Sequence, residues 1–219
     1  MQIPTTKFLA CAFFALLATG CVTPSAPHDY SAFIASNPGS IVVLPPLNNS
    51  PDVKATYSML SQVSYPLAEG GYYVFPVALV DETFKQNGLS SSADIHAVAP
   101  GKLHEIFGAD AALYVTITQY GSSYMVLNSV TTVTAHARLV DLKTGTVLWT
   151  GQASASDNEG GNNSGGGLIG ALVSAAVKQI INNVTDAGHP VAGMASRRLL
   201  TPGHANGILF GPRSPYYVK

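Results

Sequence analysis

Two periodicities divide the chain. From Ala112 to Tyr120, Leu113, Val115 and Ile117 alternate with Tyr114, Thr116 and Thr118. From about Tyr124 to Val140, Val133, Ala135, Ala137 and Leu139 alternate with Thr132, Thr134, His136 and Arg138. A period of two belongs to strands with one apolar face. Asp141-Leu-Lys-Thr-Gly145 reads as a turn, and Thr146 to Ser156, carrying Trp149, as the antiparallel return, so these three strands form a meander. Upstream, Ser40-Ile-Val-Val-Leu44 is a β-branched run whose pairing should stop at Pro45-Pro46, and Tyr72-Tyr-Val-Phe75 is a second strand.

Helical spacing fills the gaps between strands. Val53, Tyr57, Leu60, Val63 and Leu67 make one stripe, with Ser50 as N-cap, Pro51 in the first helical position and Asp52 on the positive end of the dipole. Pro66 should kink its last turn, and Gly70-Gly71 ends it. Further helices are expected over Val77 to Gln86, stopped by Asn87-Gly88, and over Pro100 to Gly108. After a flexible loop, Gly160 to Gly167, an amphipathic helix from Leu168 to about Thr185 presents Ile169, Leu172, Val173, Ala176 and Val177 on one side. The fold class that follows is α/β (α+β): a single mixed sheet with a C-terminal antiparallel three-strand meander and helices packed on it.

The N-terminus carries an address. One basic residue, Lys7, precedes an apolar run from Phe8 to Ala18, which is shorter than the ~20 residues of a spanning helix and suits a secretory signal. It ends Ala18-Thr19-Gly20-Cys21, a lipoprotein processing site in which small residues precede a cysteine whose thiol takes a diacylglycerol. The leucine preferred three residues before the cysteine is here Ala18, with Leu17 one place earlier. Val22 replaces the aspartate that commonly retains such proteins in the inner membrane. The organisation expected is therefore 1–20 signal peptide (removed), 21–39 lipid-anchored tether, 40–190 α/β domain, and 191–219 a Gly/Pro-rich C-terminal tail packing on or exchanging with the domain. The expected location is the outer membrane, lipid-anchored, on the periplasmic side or the cell surface.

Composition narrows the chemistry. Removal of the signal leaves Cys21 as the only cysteine, so no disulfide can support the fold. Charged residues are 11% of the chain, against roughly 25% in an average domain. With Lys7 gone, ten basic and twelve acidic residues remain, a net charge of −2 without the basic face that nucleic acid requires. Outside Arg197-Arg198 there is no basic run to draw anionic lipid.

No motif rises to a catalytic constellation. Gly165-x-Gly167-x-x-Gly170 opens a helix but lacks the following parallel strand of a dinucleotide fold. His28, His96, His104, His136, His189 and His204 never fall at metal-ligand spacing. Asp81-Glu82 are helix neighbours that diverge, as are His104 and Glu105. No serine sits in G-x-S-x-G, and the sequons at Asn48, Asn162 and Asn183 are incidental behind a bacterial lipoprotein signal. No cofactor, metal or catalytic residue is expected; the one assigned position is the lipidation site, Cys21.

Six segments carry a resemblance: Leu44-Pro-Pro-Leu-Asn-Asn-Ser50, Pro66-Leu-Ala-Glu-Gly-Gly-Tyr-Tyr-Val-Phe-Pro-Val77, Glu82-Thr-Phe-Lys-Gln-Asn-Gly88, Phe107-Gly-Ala-Asp-Ala111, Leu139-Val-Asp-Leu-Lys-Thr-Gly145 with Leu148-Trp149, and Phe210-Gly-Pro-Arg-Ser-Pro215. Together they resemble a family of bacterial outer-membrane lipoproteins that includes a surface-exposed vaccine antigen. The resemblance implies a body similar to the N-terminal domain of the Tol-system periplasmic protein, to lipoprotein activators of peptidoglycan synthases and to the periplasmic part of the curli-secretion channel. It also implies a curli-channel-like lipoprotein as partner.

Two classes of function follow. One is a non-catalytic binding and assembly module of the envelope, accessory to such a secretion system, with Tyr114 and Tyr120 on an exposed strand face. The other is an envelope hydrolase with a dispersed site or a regulator of peptidoglycan synthesis. Low charge, unprotected strand edges and the wide apolar arc of the 168–185 helix also predict a homodimer, with fold-back of Leu199-Leu200 and Ile208-Leu-Phe210 over the edge as the alternative.

Overall fold

The computed structural model describes residues 28–125, 128–159 and 186–218. In chain order the elements are α1 (Ser31–Ser36), β1 (Ser40–Val43), β2 (Leu47–Asn48), α2 (Ala55–Glu69), β3 (Tyr73–Val74), α3 (Val77–Gln86), α4 (Ser92–His96), α5 (Pro100–Phe107), β4 (Ala111–Met125), β5 (Asn128–Asp141), β6 (Val147–Ser156) and α6 (Gly188–Leu200). One mixed sheet runs β3-β1-β4-β5-β6, with β2 also on β4. β1 is parallel to β3 and β4, and β4, β5 and β6 form the antiparallel meander. The expected fold class is the observed one. Cys21, the 160–167 loop, the 168–185 helix and its Gly165–Gly170 motif lie outside the described residues.

Pro45 and Pro46 interrupt pairing without ending it. β1 pairs Val43 with Leu113, and the ladder resumes at Leu47, opposite Thr116. The two strands follow β4 as one line of pairing broken where proline has no N–H to donate. Ile41, Val42, Val43 and Leu44 are all fully buried. Alternation sends Ile41 and Val43 into the core under α2 and α6, and Val42 and Leu44 into the core under α3, α4 and α5. Each such side chain contributes ~1.5–3 kcal/mol of burial, so a polar residue anywhere in β1 would be costly.

α2 starts later than its punctuation suggests. Ser50 turns onto Asn48 Oδ1, and Asp52 Oδ1 accepts from Lys54 N, so the first helical residue is Ala55. The buried stripe becomes Ala55, Met59, Val63, Pro66 and Leu67, which leaves Val53 87% exposed and Tyr57 on the surface. Pro66 sits inside the helix and is buried.

The segment expected as a tail contains α6, which packs on α2 and across β5 and β6. Leu199, Leu200 and Ile208 belong to the main core. The last residues return to α2: Gly211 N donates to Gly70 O (2.8 Å) and Arg213 N to Gly71 O (3.1 Å). Gly71, at φ +92°, lies so close to the Ser214 backbone that a β-carbon would overlap it. At the other terminus, His28 to Gly39 packs on the body rather than forming free tether. Tyr30 Oη donates to Gly207 O (2.5 Å), and Phe33 is buried in the core.

Candidate functional site

Among the described residues, helices cover the two faces of the sheet unequally. α2 and α6 lie over one face along β4, β5 and β6, whereas α3, α4 and α5 cover only the β1 side of the other. Beyond them a groove of about 590 Å³ opens on the polar rows of the meander. Register places Tyr114, Arg138 and Thr150 in one row and Thr116, His136 and Gln152 in the next. His96, at the end of α4, and Leu47 close one side.

Two residues at the covered end are pinned. His96 Nε2–H donates to Pro45 O (3.0 Å), which sets the tautomer, and its ring meets Tyr114 edge-on at 5.2 Å. Burial disfavours the charged imidazole, the Arg138 guanidinium adds to this, and together they outweigh the Pro45 hydrogen bond, so the pKa is lowered. Arg138 lies 4.2 Å from the Tyr114 ring centroid, a cation–π contact. Burial raises the Tyr114 pKa against the opposing effect of Arg138. Among the described residues Arg138 has no carboxylate partner. Among the described residues the lining thus supplies one cation, two imidazoles, three hydroxyls and an amide, and no carboxylate. Such a surface suits an anionic or hydroxyl-rich ligand and offers no acid–base carboxylate pair.

A second cluster joins residues that sequence spacing kept apart. Ser58 Oγ is 3.0 Å from His189 Nδ1, Gln62 Nε2 is 2.8 Å from His189 Nε2, and Tyr120 Oη is 2.7 Å from Ser58 Oγ and 2.9 Å from Asp186 Oδ1. A carboxylate only accepts, so the Tyr120 proton goes to Asp186 and the Ser58 proton turns to Tyr120. The Gln62 amide donates to Nε2, so Nδ1 carries the imidazole proton and donates to Ser58. His189 is therefore a donor to Ser58 rather than a base acting on it, and Ser58 lies buried in the first turn of α2. The cluster ties the start of α6 to α2 and β4.

Several expected positions are corrected. Tyr114 and Tyr120, expected on an exposed face, are each 4% exposed. Tyr114 is covered by His96 and Arg138. A bulge between Ile117 and Gln119 shifts the register by one, so that Gln119 opposes Thr134 and Tyr120 opposes Val133, which turns Tyr120 under α6. Asp81 pairs with Lys85 on α3 (2.6 Å), and Glu82 accepts from Gln86. His104 Nδ1–H donates to Ala109 O (2.8 Å) at the end of α5. No three His, Cys, Asp or Glu residues gather among the described residues as a metal cage. Nothing in the sequence pairs His96 with His136; β5 register and the packing of α4 on β2 bring them to one groove.

The family model "Putative lipoprotein GNA1162-like" matches residues 28–213. "Putative lipoprotein NMB1124/NMB1162" of Neisseria meningitidis serogroup B is 58% identical over 199 residues, which is 90% of this chain and 92% of that protein. The crystal structure of lipoprotein GNA1162 from Neisseria meningitidis is similar at 61% identity and TM-score 0.54, over 66% of this chain and 99% of that one. The LpoB C-terminal domain from Salmonella enterica is a distant likeness, with 19% identity and TM-score 0.39 over 54% of this chain and 83% of that domain, and nothing is carried over from it. Matches over most of the chain, at this identity, show that the protein belongs to the GNA1162-like lipoprotein family.

Proposed function

We propose that the protein is a non-catalytic binding and assembly module, anchored to the outer membrane through lipid on Cys21, whose contact surface is the groove on the open half of the sheet. One observation carries the reading. The groove gathers Arg138, His136, Gln152 and threonine hydroxyls on a strand face, yet among the described residues no carboxylate stands there as a base and no serine as a nucleophile. Rigid strands present these groups, and Arg138 is preset by its stack on Tyr114, which lowers the cost of ordering it on binding. The partner class is a curli-channel-like secretion lipoprotein, and the same reading includes a homodimer.

Photo-crosslinking from Gln152 in intact cells, with native protein and an Arg138→Ala/His136→Ala variant, tests the proposal. The expected outcome is one dominant envelope adduct that the double variant loses at unchanged abundance. The hydrolase reading takes over if crosslinking is indifferent to both residues and the purified protein cleaves ester, amide or glycoside substrates.

A further inference from the structure

The lower end of the sheet, where β1, β3, β4 and β6 begin and β5 finishes, is also where the described chain starts. His28 Nε2–H reaches Leu148 O (3.4 Å), near the start of β6, and α1 then crosses to Asp141, whose Oδ2 accepts from Ser36 Oγ (2.5 Å). The C-terminal residues close the same end, where Tyr217 Oη donates to Asn37 Oδ1 (2.7 Å). Between α1 and these residues lies an apolar groove of about 130 Å³ lined by Phe33, Ile34, Leu209, Phe210, Tyr216 and Val218. Half of the exposed large apolar side chains among the described residues fall at this end: Ile34, Tyr73, Val147, Tyr216 and Val218, the last 88% exposed.

We infer that this end is a bilayer-contacting surface, held against the lipid that carries the Cys21 acyl chains, with Ile34, Tyr216 and Val218 entering the interfacial region. The inference rests on the anchor reading and adds an orientation to it. Six residues separate Cys21 from His28, and at ~3.3–3.6 Å per residue they span at most about 25 Å. β4 alone has fifteen residues, roughly 50 Å at ~3.3 Å each. The tether therefore keeps the α1 end near the membrane, while the β4–β5 hairpin end extends away from it when the sheet stands upright.

The chemistry of this end suits lipid better than protein. Tyrosine is favoured at the membrane–water interface, where its ring is half apolar and its hydroxyl wet. Cations flank the patch: Arg213 donates to Gly39 O (3.0 Å) with its guanidinium 5.8 Å from the Tyr73 ring centroid, and exposed Lys143 is 4.0 Å from Asp110. Two basic residues are too few for a polybasic anchor, so the apolar and tyrosine side chains carry the contact and the acyl chains carry the affinity.

The orientation can be read with single reporters, because the described body contains no cysteine and lipidation consumes the Cys21 sulfur. The mature lipidated protein, carrying Ile34→Cys, Val218→Cys or Ser123→Cys labelled with an environment-sensitive fluorophore, is reconstituted into phosphatidylethanolamine/phosphatidylglycerol vesicles containing brominated lipid. Flotation is scored first. A protein that fails to float overturns the anchor reading and this inference with it. For protein that floats, several-fold stronger bromine quenching at positions 34 and 218 than at 123, near the hairpin end, is the expected result. Equal quenching at all three, or none at 34 and 218, overturns the orientation while leaving the anchor intact. So does loss of quenching at 34 and 218 accompanied by probe self-quenching, which would mean that a second copy covers the patch.

Discussion

At the scale of single residues, the informative position is one where burial and hydrogen bonding pull in opposite directions. His96 donates to Pro45 O from a mostly buried ring beside Arg138, and the balance lowers its pKa below the ordinary histidine value. The unfolded chain then takes up a proton more readily than the folded one as pH drops below ~6.5. Stability is complete above that value and declines as pH falls from it towards the lowered folded pKa. Asp141 titrates in a separate window: burial opposes its ionisation, but hydrogen bonds from Ser36, Thr144 and Lys143 outweigh this and hold its pKa low, so its contribution is lost only below ~3.9. Urea denaturation of native protein and His96→Gln between pH 7 and pH 5 should therefore show a steeper loss in the native chain. Parallel profiles would mean that the imidazole is not held neutral by the fold.

At the scale of elements, the contact of α6 with Tyr120 explains both a dependence and a difficulty of reading. A β-carbon on Gly188 would overlap the Tyr120 ring, and one on Gly193 would come 2.9 Å from Gln62 Oε1. Gly188→Ala should therefore cost about 1–3 kcal/mol by overpacking, measured by thermal or urea unfolding; a neutral result would show that α6 does not dock this closely. In the sequence these glycines, with Pro190, look like breakers, although Val191, Ala195 and Leu199 keep a helical period. What they mark is close approach between elements, which becomes visible only once β4 is beneath the helix. The meander, α3 and α5 were legible because alternation, caps and turns agreed there. α1 is too short to show a period, and alternation alone puts Tyr120 on the polar face because a bulge flips every later side chain without a local signature. The groove is illegible because its members come from five elements, which register and the packing of α4 on β2 make neighbours.

At the scale of the molecule, the two ends of the sheet order differ in how they are finished. β3 is only two residues long, a common way of blunting an edge. β6 is ten residues long, and Val147 to Ser156 contains no charge and no proline. Its protection comes from elsewhere in the chain: His28 holds Leu148 O, Arg198 holds Ser154 O (2.7 Å) and pairs with Glu159, and the Asn206 carbonyl accepts from Trp149 Nε1 (3.0 Å). Between these clamps the stretch from Thr150 to Gln152 borders the groove. The proposed homodimer would pair two such stretches about a two-fold axis through Gly151, joining the two grooves on one side of a continuous sheet. The Arg198 clamp works against that pairing, since Ser154 O must be free for a longer ladder. Sedimentation velocity of residues 22–219 should then show a concentration-dependent monomer–dimer exchange, and Arg198→Ala should shift it towards dimer. A mass that stays monomeric at tens of micromolar in both proteins would mean that the C-terminal fold-back covers the β6 edge by itself and that the groove works one copy at a time.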